Sequence, residues 1–182
     1  MAREYQMEKR PAILGILGAL WGLGGVLALL LSACLRLWPK AVDAFTLPFA
    51  WYHWASLVAV LFGMAYAEGY KGFQKAFSPR TAARARHLLQ NPRIDHVILA
   101  PFFCMGYFHA TRRRMITSLS LTLGIIVLIV MVSYLSQPWR GIIDAGVVLG
   151  LGWGIISLIL FSIRAFGAGE FPYSAEVPNK DR

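Results

Sequence analysis

Residues 11–35 read PAILGILGALWGLGGVLALLLSACL, from Pro11 to Leu35 without one Asp, Glu, Lys or Arg. That run exceeds the ~20 residues an α-helix needs to cross a ~30 Å hydrocarbon core. Three more uncharged runs follow: Ala44 to Ala67, Met115 to Trp139 and Ala145 to Ile163. Together they predict an all-α membrane protein with four transmembrane helices, at about 12–35, 46–67, 115–136 and 144–164. Composition agrees, because apolar residues make up 57% of the chain and charged residues only 15%, where soluble domains carry about 25% charged residues. Four spans in 182 residues leave little chain for a separate soluble domain, so a single multipass membrane domain over 1–182 is expected.

The segment Met1 to Arg10 ahead of the first run resembles the start of a signal peptide, but the run outlasts the roughly 7–15 residues of a typical h-region. It reads as an uncleaved first span. Leu31-Ser32-Ala33-Cys34 has the form of a lipobox and is taken as a chance match in a Leu/Ala-rich helix. Cys34 and Cys104 stand too far apart for a CxxC or zinc spacing.

Charge sets the expected orientation. With the N-terminus inside, Lys and Arg number 15 on the cytoplasmic side, and only Arg36, Lys40 and Arg140 fall outside. Basic residues in short loops favour the cytoplasmic face, so both termini are expected in the cytoplasm and the protein in the cell's inner (plasma) membrane. Trp38, Trp51, Tyr52, Trp54 and Trp139 fall at the expected outer ends of spans, where amphipathic rings favour the headgroup level.

Small residues recur at helical spacing in three runs. Gly15, Gly18, Gly22 and Gly25, extended by Ser32, share one face of the first run. Ala55, Ala59, Gly63 and Ala67 do so in the second, and Gly146, Gly150 and Gly154 in the fourth. Small residues let helix backbones approach closely in lipid. These faces are expected to hold the four-helix bundle together; the alternative reading leaves one of them over for a partner or a second copy.

The stretch 68–114 holds half of the chain's basic residues and is expected as a cytoplasmic interfacial helical segment between the second and third spans. Tyr66, Tyr70, Phe73 and Phe77 continue one helical face past the second span, with Lys71 and Lys75 on other faces. Ser78-Pro79 gives a helix start signal, and Asn91-Pro92 a stop. Asp95 is expected to cap a further piece from His96 to about Thr111, whose Pro101 and Gly106 argue against a full crossing. Lys71, Lys75, Arg80, Arg84, Arg112, Arg113 and Arg114 are the candidate contacts to lipid headgroups, anionic ones being favoured. Membrane attachment explains the basic and aromatic residues together, so no nucleic acid is expected.

Ionisable groups within a membrane are costly, which makes them functional candidates. Asp144 and His53 could form a proton or cation relay, and Glu68 lies at the inner end of the second span. Haem ligation would need histidines on facing spans, and only His53 is in a span. His96 and His109 could approach each other and Cys104, but their spacing matches no metal pattern. The sequence has no HExxH, GxSxG, Walker loop or dinucleotide fingerprint, so no catalytic residue, cofactor or metal is expected. The remaining tail, 167–182, is turn-rich and expected to be loosely ordered. Three functions fit these features. The first is a non-catalytic membrane subunit that binds a partner or organises lipid. A small oligomeric transporter or channel using Asp144 and His53 comes second, and an interfacial enzyme third.

Overall fold

The computed structural model describes residues 2–167 and 170–178, with side chains from residue 13 onward. Helices form α1 (Ala2–Ala44), α2 (Trp51–Met64), α3 (Ser78–Gln90), α4 (Ile94–Ile98), α5 (Ala100–Met105), α6 (Arg112–Ser133) and α7 (Trp139–Phe166). A π-helical segment, Ala65–Phe77, joins α2 to α3. No strand occurs among the described residues. In lipid every backbone polar group must be satisfied within its own segment, and a helix does this without partners.

Three helical stretches are long and apolar enough to cross a membrane: Ile13–Ala44, Arg112–Ser133 and Trp139–Phe166. The expected boundaries shift at each. The first helix runs on past Leu35 to Ala44, where Thr46 Oγ1 bonds the Asp43 carbonyl at 2.7 Å and Phe45 N–H bonds the Val42 carbonyl. The fourth starts at Trp139, because Gln137 caps it: its Oε1 accepts the Gly141 N–H at 3.0 Å while its Nε2 donates to the Lys40 carbonyl. Trp139 therefore opens α7, and the run Met115 to Trp139 divides at the turn after Ser133.

The expected second span differs most. Residues 46–50 are not helical, and α-geometry covers only the 14 residues Trp51–Met64. The helical path continues without a break to Gln90, and α-geometry resumes at Ser78 with proline in the first turn, where Ser78-Pro79 signalled a start. Phe77 is itself helical, at φ −74° and ψ −56°, and the Ser78 hydroxyl caps nothing. Pro79 lacks an N–H and its ring would meet the carbonyl one turn back. The π-helical segment ends at Phe77, immediately ahead of it.

The chain forms two compact units. One comprises 1–27, 77–119 and 158–182, the other 28–76 and 120–157. In the second unit the α7 glycines seat side chains of the preceding helical path. A Cβ on Gly146 would meet Val60 and Met64, one on Gly150 would meet Glu68 Oε2 at 2.8 Å, and one on Gly154 the Phe73 ring at 2.6 Å. Reciprocally, Gly69 lies beneath Trp153, whose indole N–H bonds Gln74 at 2.9 Å. The expected face Ala55, Ala59, Gly63 and Ala67 is not the one used: all four residues are exposed, and Leu57, Val60 and Met64 face α7 or the interior instead. Glycine notches on α7 need bulky knobs opposite them, which an alanine stripe cannot provide.

In the first unit the α1 glycines hold the polar segment. Gly15 abuts the Leu89 carbonyl, Gly18 faces Val97 and Leu88, Gly22 faces Cys104 and Ala100, and Gly25 faces Pro101. The piece expected over His96–Thr111 is thus two short helices laid along a glycine face, followed by a loop. Neither helix has the length to cross a bilayer.

Candidate functional site

The polar chemistry of the first unit is organised around Arg84. Proline at its first turn and the stop at Asn91, whose N–H bonds the His87 carbonyl at 2.8 Å, set the register of α3. Arg84 is buried in this helix, as are Ala82, Ala83, Ala85 and Leu88. At 1% exposure the guanidinium is out of solvent, which is tolerated only with hydrogen bonds on its donors. Arg84 Nε donates to the Phe103 carbonyl at 2.5 Å, Nη1 to Ala175 at 2.8 Å, and Nη2 to Phe108 at 2.9 Å and His109 at 3.1 Å. Its carbon sits 4.1 Å over the Phe103 ring. Burial lowers its pKa to about 10, which leaves it charged at neutral pH. A cation bound to carbonyls near the C-terminal end of α5 also meets the negative end of that helix.

Those bonds fix the loop after α5. Gly106, at φ +84°, ends α5 in the left-handed conformation that glycine adopts without penalty, and the Tyr107 N–H returns to the Phe102 carbonyl. His109 follows at φ +44°, a costly conformation for a residue with a Cβ. The Arg84 bond to its carbonyl holds it there.

His109 thereby meets α4. Its Nδ1 lies 2.7 Å from His96 Nε2, and Asp95 Oδ2 lies 3.7 Å from each of those nitrogens. The three atoms form a small convergent cluster with His96 buried and Asp95 and His109 exposed. The His96 ring stacks on Phe103 at 4.3 Å, and its Nδ1 is buried with no hydrogen-bond partner. Burial drives the His96 imidazole down to about 4, Asp95 opposing the shift and His109 and Arg93 adding to it. Asp95 is not a helix cap as expected. Arg93, in extended conformation, precedes α4, and its guanidinium forks onto both Asp95 oxygens at 3.2 and 3.3 Å. Sequence spacing suggested that His96 and His109 could meet. It did not suggest Asp95 as the third member, and no signal short of the loop's path would have done so. Cys104 stays apart from this chemistry, its thiol set against Gly22 and pushed up to about 12 by burial.

Two expected headgroup contacts lie inside the protein instead. Arg84 is one. Arg114, 7% exposed beside Gly106, is the other. Lys71, Lys75, Arg112 and Arg113 are exposed, and Arg80 pairs with Glu176 at 3.3 Å. Residues 170–178 of the tail, expected to be loose, make defined contacts. Ala175 accepts from Arg84, the Glu176 carbonyl accepts the Thr111 N–H, and Tyr173 meets Phe161 edge-on. Residues 168–169 and 179–182 lie outside the described residues.

Asp144 and His53 each have a local partner. Asp144, 3% exposed, lies 3.7 Å from Arg140 one turn earlier. His53 Nδ1 accepts the Ala50 N–H at 3.1 Å at the start of α2, and its ring is enclosed by Phe49, Tyr52 and Trp139. Glu68 rests against Gly150.

The chain matches no protein-family model, no curated protein and no solved structure.

Proposed function

We propose that this is a four-span inner-membrane protein with both termini in the cytoplasm, acting as a non-catalytic subunit that organises anionic lipid at its cytoplasmic edge. The second span in this reading, added to the three long apolar helices, is the helical path that begins at Trp51 and stays uncharged to Ala67. The 15 to 3 distribution of basic residues supports the orientation. One observation carries the lipid reading. Past that span Lys71 Nζ lies 4.7 Å over the Tyr66 ring and Lys75 Nζ 4.6 Å over Tyr70, both lysines being exposed. Tyrosines favour the headgroup level, so the ammonium groups are held where each adds about 1 kcal/mol of attraction to anionic lipid.

Mass spectrometry of lipids retained by the detergent-purified protein tests this reading. Wild type should retain anionic over zwitterionic lipid, and the Lys71→Glu/Lys75→Glu variant should lose that preference. An unchanged lipid ratio would remove the reading. Reporter fusions within 46–50 and after Asn91 test the orientation, with opposite sides of the membrane expected.

The partner-binding form of this function has its own support in the exposed face Ala55, Ala59, Gly63 and Ala67. The other two small-residue faces are occupied by the chain's own side chains, and a bare one favours helix association in lipid. A second copy would dock there. In-membrane cross-linking should trap a dimer that Gly63→Leu abolishes, and a monomer in both would exclude it.

A further inference from the structure

We propose that Asp95, His96 and His109 bind a divalent transition-metal ion, with Zn²⁺ as the reference occupant. The donor atoms are His96 Nε2, His109 Nδ1 and Asp95 Oδ2, mutually separated by 2.7, 3.7 and 3.7 Å. From those separations, the in-plane point equidistant from all three atoms lies about 2.0 Å from each, close to the ~2.0–2.2 Å of zinc bonds to imidazole and carboxylate. A tetrahedral ion at that bond length wants its ligand atoms about 3.3 Å apart. The two nitrogens must therefore open by about 0.6 Å and the carboxylate close by about 0.4 Å. His109 sits on an exposed loop and Asp95 is exposed, so both can move, while the buried His96 ring is fixed against Phe103.

The surroundings suit such a site. Two imidazoles and one carboxylate prefer zinc and its first-row neighbours over calcium or magnesium. Three protein ligands leave one position open for water or an exogenous group, reachable from the exposed side. Arg93 forks onto both Asp95 oxygens, Nε to Oδ1 at 3.2 Å and Nη2 to Oδ2 at 3.3 Å; ligation by Oδ2 displaces the second bond and keeps the first, which orients the ligating carboxylate. Arg84, through the His109 carbonyl, holds the one ligand whose backbone is strained. Without a metal the cluster reduces to a hydrogen bond between two imidazoles and an Arg93–Asp95 pair. The inference stands independently of the lipid reading.

The experiment uses the full chain, purified in detergent on an affinity tag without histidine, stripped with EDTA and titrated with Co²⁺ and then Zn²⁺. Saturable uptake of about one ion per chain is expected, with visible Co²⁺ bands that Zn²⁺ displaces. His109→Ala and Asp95→Asn should each weaken uptake by more than the roughly 10–100-fold that losing an outer partner costs, and His87→Ala should leave it unchanged. His109 is exposed, so its variant folds even where His96→Ala does not. X-ray absorption of the zinc-loaded wild type gives a second readout, expected to show imidazole and oxygen neighbours only. Absence of saturable uptake, uptake unaffected by His109→Ala, or sulfur in the zinc shell would each overturn the proposal.

Discussion

Both compact units pack against glycine stripes, yet they hold together differently. The α7 stripe of one unit receives Val60, Met64, Glu68 and Phe73 from a continuous helical path, side chain into notch. The α1 stripe of the other receives the Leu89 carbonyl and the short α4 and α5. Those pieces are too short to persist alone and depend on Arg84 for their end and following loop. Helix packing of the first kind distributes its stability over many small contacts, whereas the second concentrates it in one buried cation. The contrast predicts where each unit fails.

The largest effect should come from Arg84→Met. It leaves the carbonyls of Phe103, Phe108, His109 and Ala175 without their donor, at about 1–3 kcal/mol for each that water cannot reach. Hydrogen exchange should accelerate in 100–111 and 170–178 and stay unchanged in 139–157. Equal acceleration in both regions would erase the distinction between the units.

Next comes a pair that sharpens how α1 is packed. Gly15→Ala sets a methyl against the Leu89 backbone, which cannot give way, and should cost about 1–3 kcal/mol. Gly18→Ala meets only the side-chain ends of Val97 and Leu88 and should cost less. Thermal unfolding in detergent ranks the two, and the reverse order would mean that α3 is not seated as described. Trp153→Phe, which removes the bond to Gln74, should cost about 0.5–1.5 kcal/mol in the same assay.

The smallest effect concerns pH. Burial and the nearby Arg84 lower the pKa of His87 below its ordinary value. The folded state therefore binds that proton less readily than the unfolded one. Its contribution to stability is present above about 6.5 and is lost as pH falls toward the folded value. His87→Gln should flatten this part of the stability profile, and an unaltered slope would show that His87 is not responsible.

The apolar runs were legible because the transfer of a segment into lipid depends on the summed character of its own residues. Their ends were less so. Trp139 looked like the close of one span and instead opens α7, because Gln137 caps that helix and also reaches the Lys40 carbonyl. Arg84 and Arg114 carried the same charge signal as Lys71 and Lys75, and nothing local separates an arginine that meets lipid from one that binds carbonyls.

By itself, the sequence determined an all-helical chain with spans long and apolar enough for a membrane, and which residues were small enough to let helices touch. Tertiary structure alone decided which small face is filled, which arginine is buried, and that Asp95, His96 and His109 converge. The reason is physical. Hydropathy is a property summed along the chain, but a contact across thirteen residues depends on the path between them. That path is fixed by one left-handed glycine, Gly106, and by the carbonyls that Arg84 draws together.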